Sequence, residues 1–310
     1  MTLFLLILAC SAGILLVLWY IYRTAFYNPP SMRGTIDDPM KGDQYEDVAE
    51  HIYRISHIME KASCEEIQIT SFDGCKLFGR YYHLRDGAPL EILFHGYRSC
   101  AFRDCSGGHL LSRKMGFNAL VIDQRAHGKS SGNTITFGVK EHRDCKMWID
   151  YAVRRFGTDC PIMLSGISMG AATVLMSTEL PLPGTVRGLI GDCGFTDPQA
   201  ICRHVVKNNL HLSYSLRGAV AHRLCKKRNR AGLSGCSAPK ALARCHLPVL
   251  LIHGSDDRFV PVEMTYENYK ACGGPKHLLI VPGADHGMSY YKDRTAYEQA
   301  LQHFFTLYDK

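Results

Sequence analysis

Gly166-Ile167-Ser168-Met169-Gly170 sets a serine between two glycines, directly after the apolar run Ile162–Leu164 and at the start of a helical stretch. A strand that turns sharply into a helix lifts the side chain at the turn clear of the sheet edge, and flanking glycines let the backbones close up. A serine hydroxyl is a poor nucleophile until a base takes its proton, and that base needs an acid to orient it. Candidates for both follow in the chain. His253-Gly254-Ser255-Asp256-Asp257-Arg258-Phe259-Val260-Pro261 comes after the apolar run Val249–Ile252 and offers two adjacent carboxylates. Gly283-Ala284-Asp285-His286-Gly287 comes after Leu278–Val281 and offers the base. The chemistry such a set performs is acyl transfer through an acyl-enzyme that water resolves.

The elements that must carry these residues alternate along the chain. Glu65–Thr70 and Lys76–His83, separated by Phe72-Asp73-Gly74, read as a hairpin. Ile92–Phe94, Ala119–Ile122, Ile162–Leu164, Leu189–Ile190, Val249–Ile252 and Leu278–Val281 read as buried strands. Between them, 104–115, 138–156, 169–179, 263–272 and 293–308 read as helices, and 44–62 as an amphipathic helix through Val48, Ile52, Ile55 and Met59. This alternation specifies a largely parallel sheet with helices on both faces and ligands at the carboxyl ends of the strands. Residues 198–245 break the rhythm and are expected to form an inserted lid of one or two helices.

An apolar fraction of 46% supplies a sizeable core, and no internal repeat or low-complexity tract is present. Thirteen cysteines without a Cys-x-x-Cys pair argue against a zinc ribbon or a thioredoxin-type site, and for free, mostly buried thiols in a reducing compartment. The scattered histidines form no zinc spacing, so no metal is expected. The formal charge of +7 is concentrated: no acidic residue lies between Asp197 and Asp256, while Arg203, Lys207, Arg217, Arg223, Lys226, Lys227, Arg228, Arg230, Lys240 and Arg244 are basic. That block suits a contact with anionic material such as lipid headgroups, unless it is simply a solvated face.

Leu3–Tyr22 is an uncharged, apolar run of a length that matches the ~30 Å hydrocarbon core of a bilayer, with Trp19, Tyr20 and Tyr22 collected at its end. It has neither the basic n-region nor the small-residue cleavage site of a signal peptide. Residues 1–23 are therefore expected to be a transmembrane anchor, 24–43 a linker, and 44–310 the folded domain. Arg23, Arg33 and Lys41 all follow the apolar run, which places that domain on the cytoplasmic side.

Together with His95-Gly96-Tyr97-Arg98-Ser99 and Asp123-Gln124-Arg125-Ala126-His127-Gly128-Lys129-Ser130, these motifs resemble the α/β-hydrolase superfamily, and within it membrane-anchored bacterial hydrolases of uncharacterised substrate. The resemblance covers residues 65 to about 305. It implies an α/β-hydrolase fold: a mostly parallel eight-stranded sheet flanked by helices, with a helical lid. Carried over residue by residue, it makes Ser168 the nucleophile, His286 the base and Asp257 the acid, with Asp256 a loop-structuring neighbour. Asp192, after Leu189–Ile190, is a position where some hydrolases of this kind keep an acid, and it ranks third. The backbone N–H groups of Met169 and Tyr97 become the oxyanion donors. His95 holds its turn by hydrogen bonding, and Arg125 ties loops together.

The activity this implies is hydrolysis of a carboxylic ester or thioester, on a small acyl ester or lipid-like substrate, with no cofactor and no nucleic-acid partner. The membrane is contacted through the N-terminal helix and the basic lid. A serine peptidase or an acyltransferase on the same triad, and a non-catalytic membrane-tethered binding module, are the alternatives. A prolyl-oligopeptidase type ranks lower for want of a β-propeller, and a dehalogenase or epoxide hydrolase because those use Asp at the elbow.

Overall fold

Strands covered by helices on both faces must be apolar at nearly every position, which is how the central segments of this chain read. The computed structural model describes residues 2–40, 42–209, 233 and 235–308. The strands are β1 (Glu65–Thr70), β2 (Lys76–Tyr82), β3 (Leu90–Phe94), β4 (Asn118–Asp123), β5 (Ile162–Ile167), β6 (Val186–Asp192), β7 (Val249–Gly254) and β8 (Lys276–Val281). They form one eight-stranded sheet in the order β1-β2-β4-β3-β5-β6-β7-β8. The sheet is mixed, because β2 runs antiparallel to both β1 and β4, while the other neighbours are parallel. The eight-stranded α/β-hydrolase fold expected from the sequence is the fold observed.

The helices are α1 (Thr2–Ala25), α2 (Ala49–Lys61), α3 (Ala101–Lys114), α4 (Glu141–Phe156), α5 (Met169–Ser177), α6 (Pro198–His204), α7 (Ala238–Leu242), α8 (Val262–Ala271), α9 (Ser289–Lys292) and α10 (Arg294–Tyr308). Most begin or end within three residues of expectation, and the departures have local causes. The stretch expected to be helical from 138 starts only at Glu141. Gly138 has φ +97°, and the Glu141 carboxylate accepts N–H bonds from Thr136 and Gly138, both at 2.8 Å, which closes a turn ahead of the helix. The expected 293–308 helix is preceded by the separate α9, which ends at Asp293 with φ −138°.

Every residue of α5 is buried, and its small Gly170, Ala171 and Ala172 bring it close against the sheet. α4 buries Cys145, Trp148, Ile149 and Ala152 beside it. On the opposite face, α2 turns Ile52, Ile55 and Met59 inward, and Met59 shares a core cluster with Tyr82, Leu93 and Ala101. β4 and β5 flank β3 on opposite sides, with Phe94 registered against Ile122 and Gly166. The chain therefore departs in opposite directions around the carboxyl end of β3, which opens a crevice there.

α1 is long and apolar enough to cross a membrane. Leu5, Leu8, Leu16, Trp19 and Tyr20 are exposed along it, whereas Tyr22 and Phe26, at and just beyond its last turn, are buried against the domain. Within the stretch read as a linker, Asn28 is fully buried and its amide donates to Ala126 O at 2.8 Å. Of the lid, α6, a π-helical turn at Val205–Asn209, and α7 are described. Arg217, Arg223, Lys226, Lys227, Arg228 and Arg230 lie outside the described residues.

Arg125 does what its loop suggested. Buried, it makes a two-pronged pair with Asp144 (Nε–Oδ2 2.6 Å, Nη2–Oδ1 2.7 Å) and reaches Asp73 Oδ2 at 3.0 Å. It thereby joins the β1–β2 turn, the loop after β4, and α4. Removing one member of a buried pair strands the other charge. Arg125→Met is expected to cost about 3–5 kcal/mol in equilibrium denaturant unfolding, while Lys146→Met, which breaks a pair on the partly exposed face of α4, should cost under about 1 kcal/mol.

Candidate active site

At the carboxyl end of β5 the backbone makes the sharp turn that the Gly-x-Ser-x-Gly spacing calls for. Ser168 has φ +56° and ψ −117°, a left-handed conformation that costs a non-glycine residue about 1–3 kcal/mol. The contacts around it explain both glycines. A Cβ on Gly166 would lie 2.3 Å from the Gly170 carbonyl carbon, and one on Gly170 would lie 2.1 Å from Phe94 O. The Ser168 N–H donates to Asp192 O at 2.8 Å, and its own carbonyl accepts the first bond of α5, from Ala172 at 3.0 Å. Met169 opens that helix, where an N–H has no partner within the helix and is free to face a ligand.

Two loops from the far end of the sheet meet this serine. His286, between β8 and α9, brings Nε2 to 2.9 Å from Ser168 Oγ and Nδ1 to 2.7 Å from Asp257 Oδ2. A carboxylate only accepts, so Nδ1 carries the proton and Nε2 presents a lone pair to the serine hydroxyl. Asp257, on the loop after β7, is fully buried at its side chain and takes four hydrogen bonds, two on each oxygen. Phe259 N–H and Val260 N–H donate to Oδ1 at 2.8 and 2.7 Å, while His286 and His253 donate to Oδ2 at 2.7 and 3.0 Å.

Burial alone would push the Asp257 carboxyl up, but the two imidazoles outweigh it and hold the group well below the usual carboxylate range. Burial likewise opposes a charge on His286, and here too the Asp257 carboxylate prevails, so the imidazole is raised above its ordinary value. Asp192, the third candidate acid, contacts Ser289 Oγ at 3.5 Å and the Tyr297 hydroxyl at 3.1 Å and has no hydrogen bond to His286. Its burial outweighs the nearby histidines and lifts it to about 6. Asp256 is exposed and accepts from Ser255 Oγ at 2.6 Å, a bond within its own loop.

The loop after β3 completes the site. Gly96 passes so close that an added Cβ would lie 3.3 Å from Ser168 Cβ. A cavity of about 160 Å³ opens there, lined among others by Tyr97, Ser168, His286, Tyr45 and Tyr291. Met169, the residue after Ser168, is fully buried. His95 holds its turn, with Nδ1–H donating to Gly96 O at 2.8 Å and Nε2 accepting from Gln124 N–H at 3.0 Å.

Two residues of this neighbourhood escaped the sequence reading. Asp104 accepts from Gly96 N–H at 2.8 Å and from the Ser99 hydroxyl, which fixes the loop carrying Tyr97. His253 backs Asp257 from behind, with Nε2–H also facing Val260 O at 3.0 Å and Nδ1 accepting from the Thr265 hydroxyl at 2.6 Å. The signal for His253 is its place at the end of β7, just ahead of the acid loop; Asp104 gives none, because it meets Gly96 only through the fold. Two groups of potential metal ligands occur among the described residues: His142, Glu179 and Cys236, and Cys193 with Asp257 and His286. Burial, with Asp192 and Asp257 nearby, keeps the Cys193 thiol protonated and well above its ordinary range.

Residues 111–308 match a family model described as the prolyl oligopeptidase family. Over 253 residues the chain is 29% identical to YqkD, an uncharacterized protein of Bacillus subtilis, covering 78% of this chain and 81% of that one. It is 24% identical to a bifunctional esterase/perhydrolase of Acinetobacter calcoaceticus, covering 71% of this chain and 92% of that one. Among solved structures, the esterase Pf2001 of Pyrococcus furiosus superposes with a TM-score of 0.66 at 20% identity, over 92% of this chain and 99% of that one.

The steric argument about the turn has a direct test. Gly170→Ala drives a methyl group into the carbonyl of β3 and should destabilise the chain by about 1–3 kcal/mol or more in denaturant unfolding. Gly184→Ala, with nothing within 4 Å of the new Cβ, should leave the midpoint unchanged.

Proposed function

Because the chain belongs to the prolyl oligopeptidase family of α/β hydrolases, the type ranked lower from sequence, we propose that it is a serine hydrolase cleaving carboxylic esters or thioesters through an acyl-enzyme on Ser168. The observation that carries this reading is the unbroken relay from Ser168 Oγ to His286 at 2.9 Å and from His286 to Asp257 at 2.7 Å. His286 Nε2 takes the serine proton as Oγ bonds to the acyl carbon, and Asp257 keeps the opposite nitrogen protonated and the ring in place. The oxyanion that develops is met by the N–H groups of Met169 and Tyr97, preorganised donors of a kind worth about 3–4 kcal/mol each. The imidazolium then returns its proton to the leaving alcohol or thiol. Water repeats the sequence on the acyl-enzyme and releases the acid.

A peptide substrate is the second reading, favoured by the family's description. The ester reading is supported by the esterase named among the relatives. The choice is testable on one preparation: p-nitrophenyl butyrate should turn over, and prolyl p-nitroanilide should not.

The same proposal includes a membrane anchor at 1–23, a linker at 24–43, a hydrolase domain at 44–310 and a lid at 198–245, with the domain on the cytoplasmic side. Support comes from the apolar length of α1, from Arg23, Arg33 and Lys41 after it, and from the free state of the described cysteines. A lipid-like acyl ester fits this setting. Tyr97, which lines the cavity, is also hydrogen-bonded to the last turn of α1, so the cavity lies within one side chain's reach of the anchor's end.

Labelling of the detergent-solubilised protein with a fluorophosphonate probe tests the nucleophile. The natural chain should label, and Ser168→Ala and His286→Ala should not; labelling that survives in Ser168→Ala would overturn the assignment. The base must be neutral to work, and its partner holds it above its ordinary value. The acid limb of kcat/KM should therefore have its midpoint above ~6.5, with activity rising as pH rises through it. Asp257→Asn removes that support. It should shift the limb to lower pH and reduce kcat by about 10⁴-fold, as loss of an orienting carboxylate does in serine hydrolases.

A further inference from the structure

The loop that carries Tyr97 is held from outside the hydrolase core. The Tyr97 hydroxyl donates to Ala25 O, the last residue of α1, at 2.8 Å. Arg98 reinforces the join: its Nε–H donates to the Tyr97 oxygen at 2.8 Å, and Nη2 donates to Thr24 O and Tyr27 O, both at 2.9 Å. The last carbonyls of a helix have no partner within it and form the negative end of its dipole, so a guanidinium is matched to them in both hydrogen bonding and charge. The backbone of Arg98 is itself in the left-handed region, at φ +53°, and its N–H donates to Nε2 of the buried His127 at 3.0 Å. The aromatic contacts run the same way. Tyr97 stacks on Phe137 with ring centres 5.0 Å apart, and Phe137 meets Phe26 edge-on at 5.5 Å.

We propose that Tyr97 and Arg98 tie the oxyanion loop to the last turn of the N-terminal helix, so that the helix end positions the Tyr97 N–H over the reacting centre. Arg98 is then a positioning residue that acts through Tyr97. The proposal rests on the serine-hydrolase reading, in which the backbone N–H of Tyr97 faces the oxyanion. It makes the apolar helix a part of the site as well as a tether. The loop meets the helix through side chains, while its donor is backbone, so loosening the side-chain link should leave substrate binding intact and weaken stabilisation that arises only in the transition state.

The test uses the full chain in detergent with p-nitrophenyl butyrate, and compares Tyr97→Phe, Arg98→Ala and the double variant with Ser168→Ala. Tyr97→Phe removes a single oxygen and keeps the stacked ring, so it guards against a result that reflects misfolding of the Arg98 variant. Each single change should lower kcat by about tenfold with KM within about twofold, because small misplacements of a catalytic group are costly in rate. The double variant should fall no further than the worse single one, because both act through one chain of bonds. Two results would overturn the proposal: a kcat within twofold of the natural chain in Tyr97→Phe, or losses that multiply in the double variant. If Ser168→Ala keeps its turnover, the serine-hydrolase reading fails instead, and that outcome is distinct from the first two.

Discussion

One backbone constraint governs the active end of this molecule: the turn at Ser168, where a non-glycine residue is held at φ +56°. It persists because its surroundings leave no alternative. Gly166 and Gly170 face each other at a distance where no Cβ fits, Gly170 lies against the Phe94 carbonyl, and the Ser168 N–H is fixed to the Asp192 carbonyl. The close approach of α5 to β3 and β5 demands small residues behind the serine, and Ala171 and Ala172 supply them. It also brings the end of β3 beside Ser168, so that a Cβ added to Gly96, on the loop carrying Tyr97, would lie 3.3 Å from the Ser168 Cβ. The turn also sets where the first N–H of α5 lies and where the Ser168 hydroxyl meets the cavity and His286.

The fold was legible wherever burial writes itself into composition. The interior strands were found because strands covered on both faces show up as short apolar runs, while the mostly exposed β1 was found through the hairpin signal that joins it to β2. The edges were harder for physical reasons. β3 begins at Leu90 and includes Glu91, a charged residue inside a strand, which is accommodated by hydrogen bonds from the Ser112 and Ser165 hydroxyls. β6 runs from Val186, but the exposed Arg187 and the glycines at 188 and 191 broke its apolar signature down to Leu189–Ile190. The start of α4 moved because the Glu141 carboxylate closes a local turn onto the N–H groups of Thr136 and Gly138.

The site was legible in its motifs and not in its supports. Ser168, the acid loop and His286 stand in that order along the chain, each after an apolar run, so spacing could nominate them. Asp104 and His253 cannot be nominated that way. Asp104 reaches Gly96 from the first turn of α3, and His253 reaches Asp257 from the end of the preceding strand. Each fixes a group that bears on the serine without facing it. The link between Tyr97 and α1 is of the same kind: 72 positions separate the hydroxyl from its acceptor, and no pattern in the sequence announces it.

The electrostatics separate Asp257, the acid chosen from sequence, from Asp192, the third-ranked position. Asp192 ends β6 and Asp257 follows the neighbouring parallel β7, and both are buried near His286. Burial raises the pKa of each, so what distinguishes them is what else each one meets. Asp257 receives two backbone N–H groups and two imidazoles, an arrangement that favours the anion so strongly that desolvation is overcome. Asp192 accepts from hydroxyls at 3.1 and 3.5 Å, and burial outweighs these and the nearby histidines, so it stays raised, at about 6. An orienting acid must remain charged while the imidazole beside it gains and loses a proton, and a group that titrates in the same range as that imidazole would exchange charge with it. On this ground Asp257 fits the role proposed for it better than Asp192 would, and the 2.7 Å contact with His286 agrees.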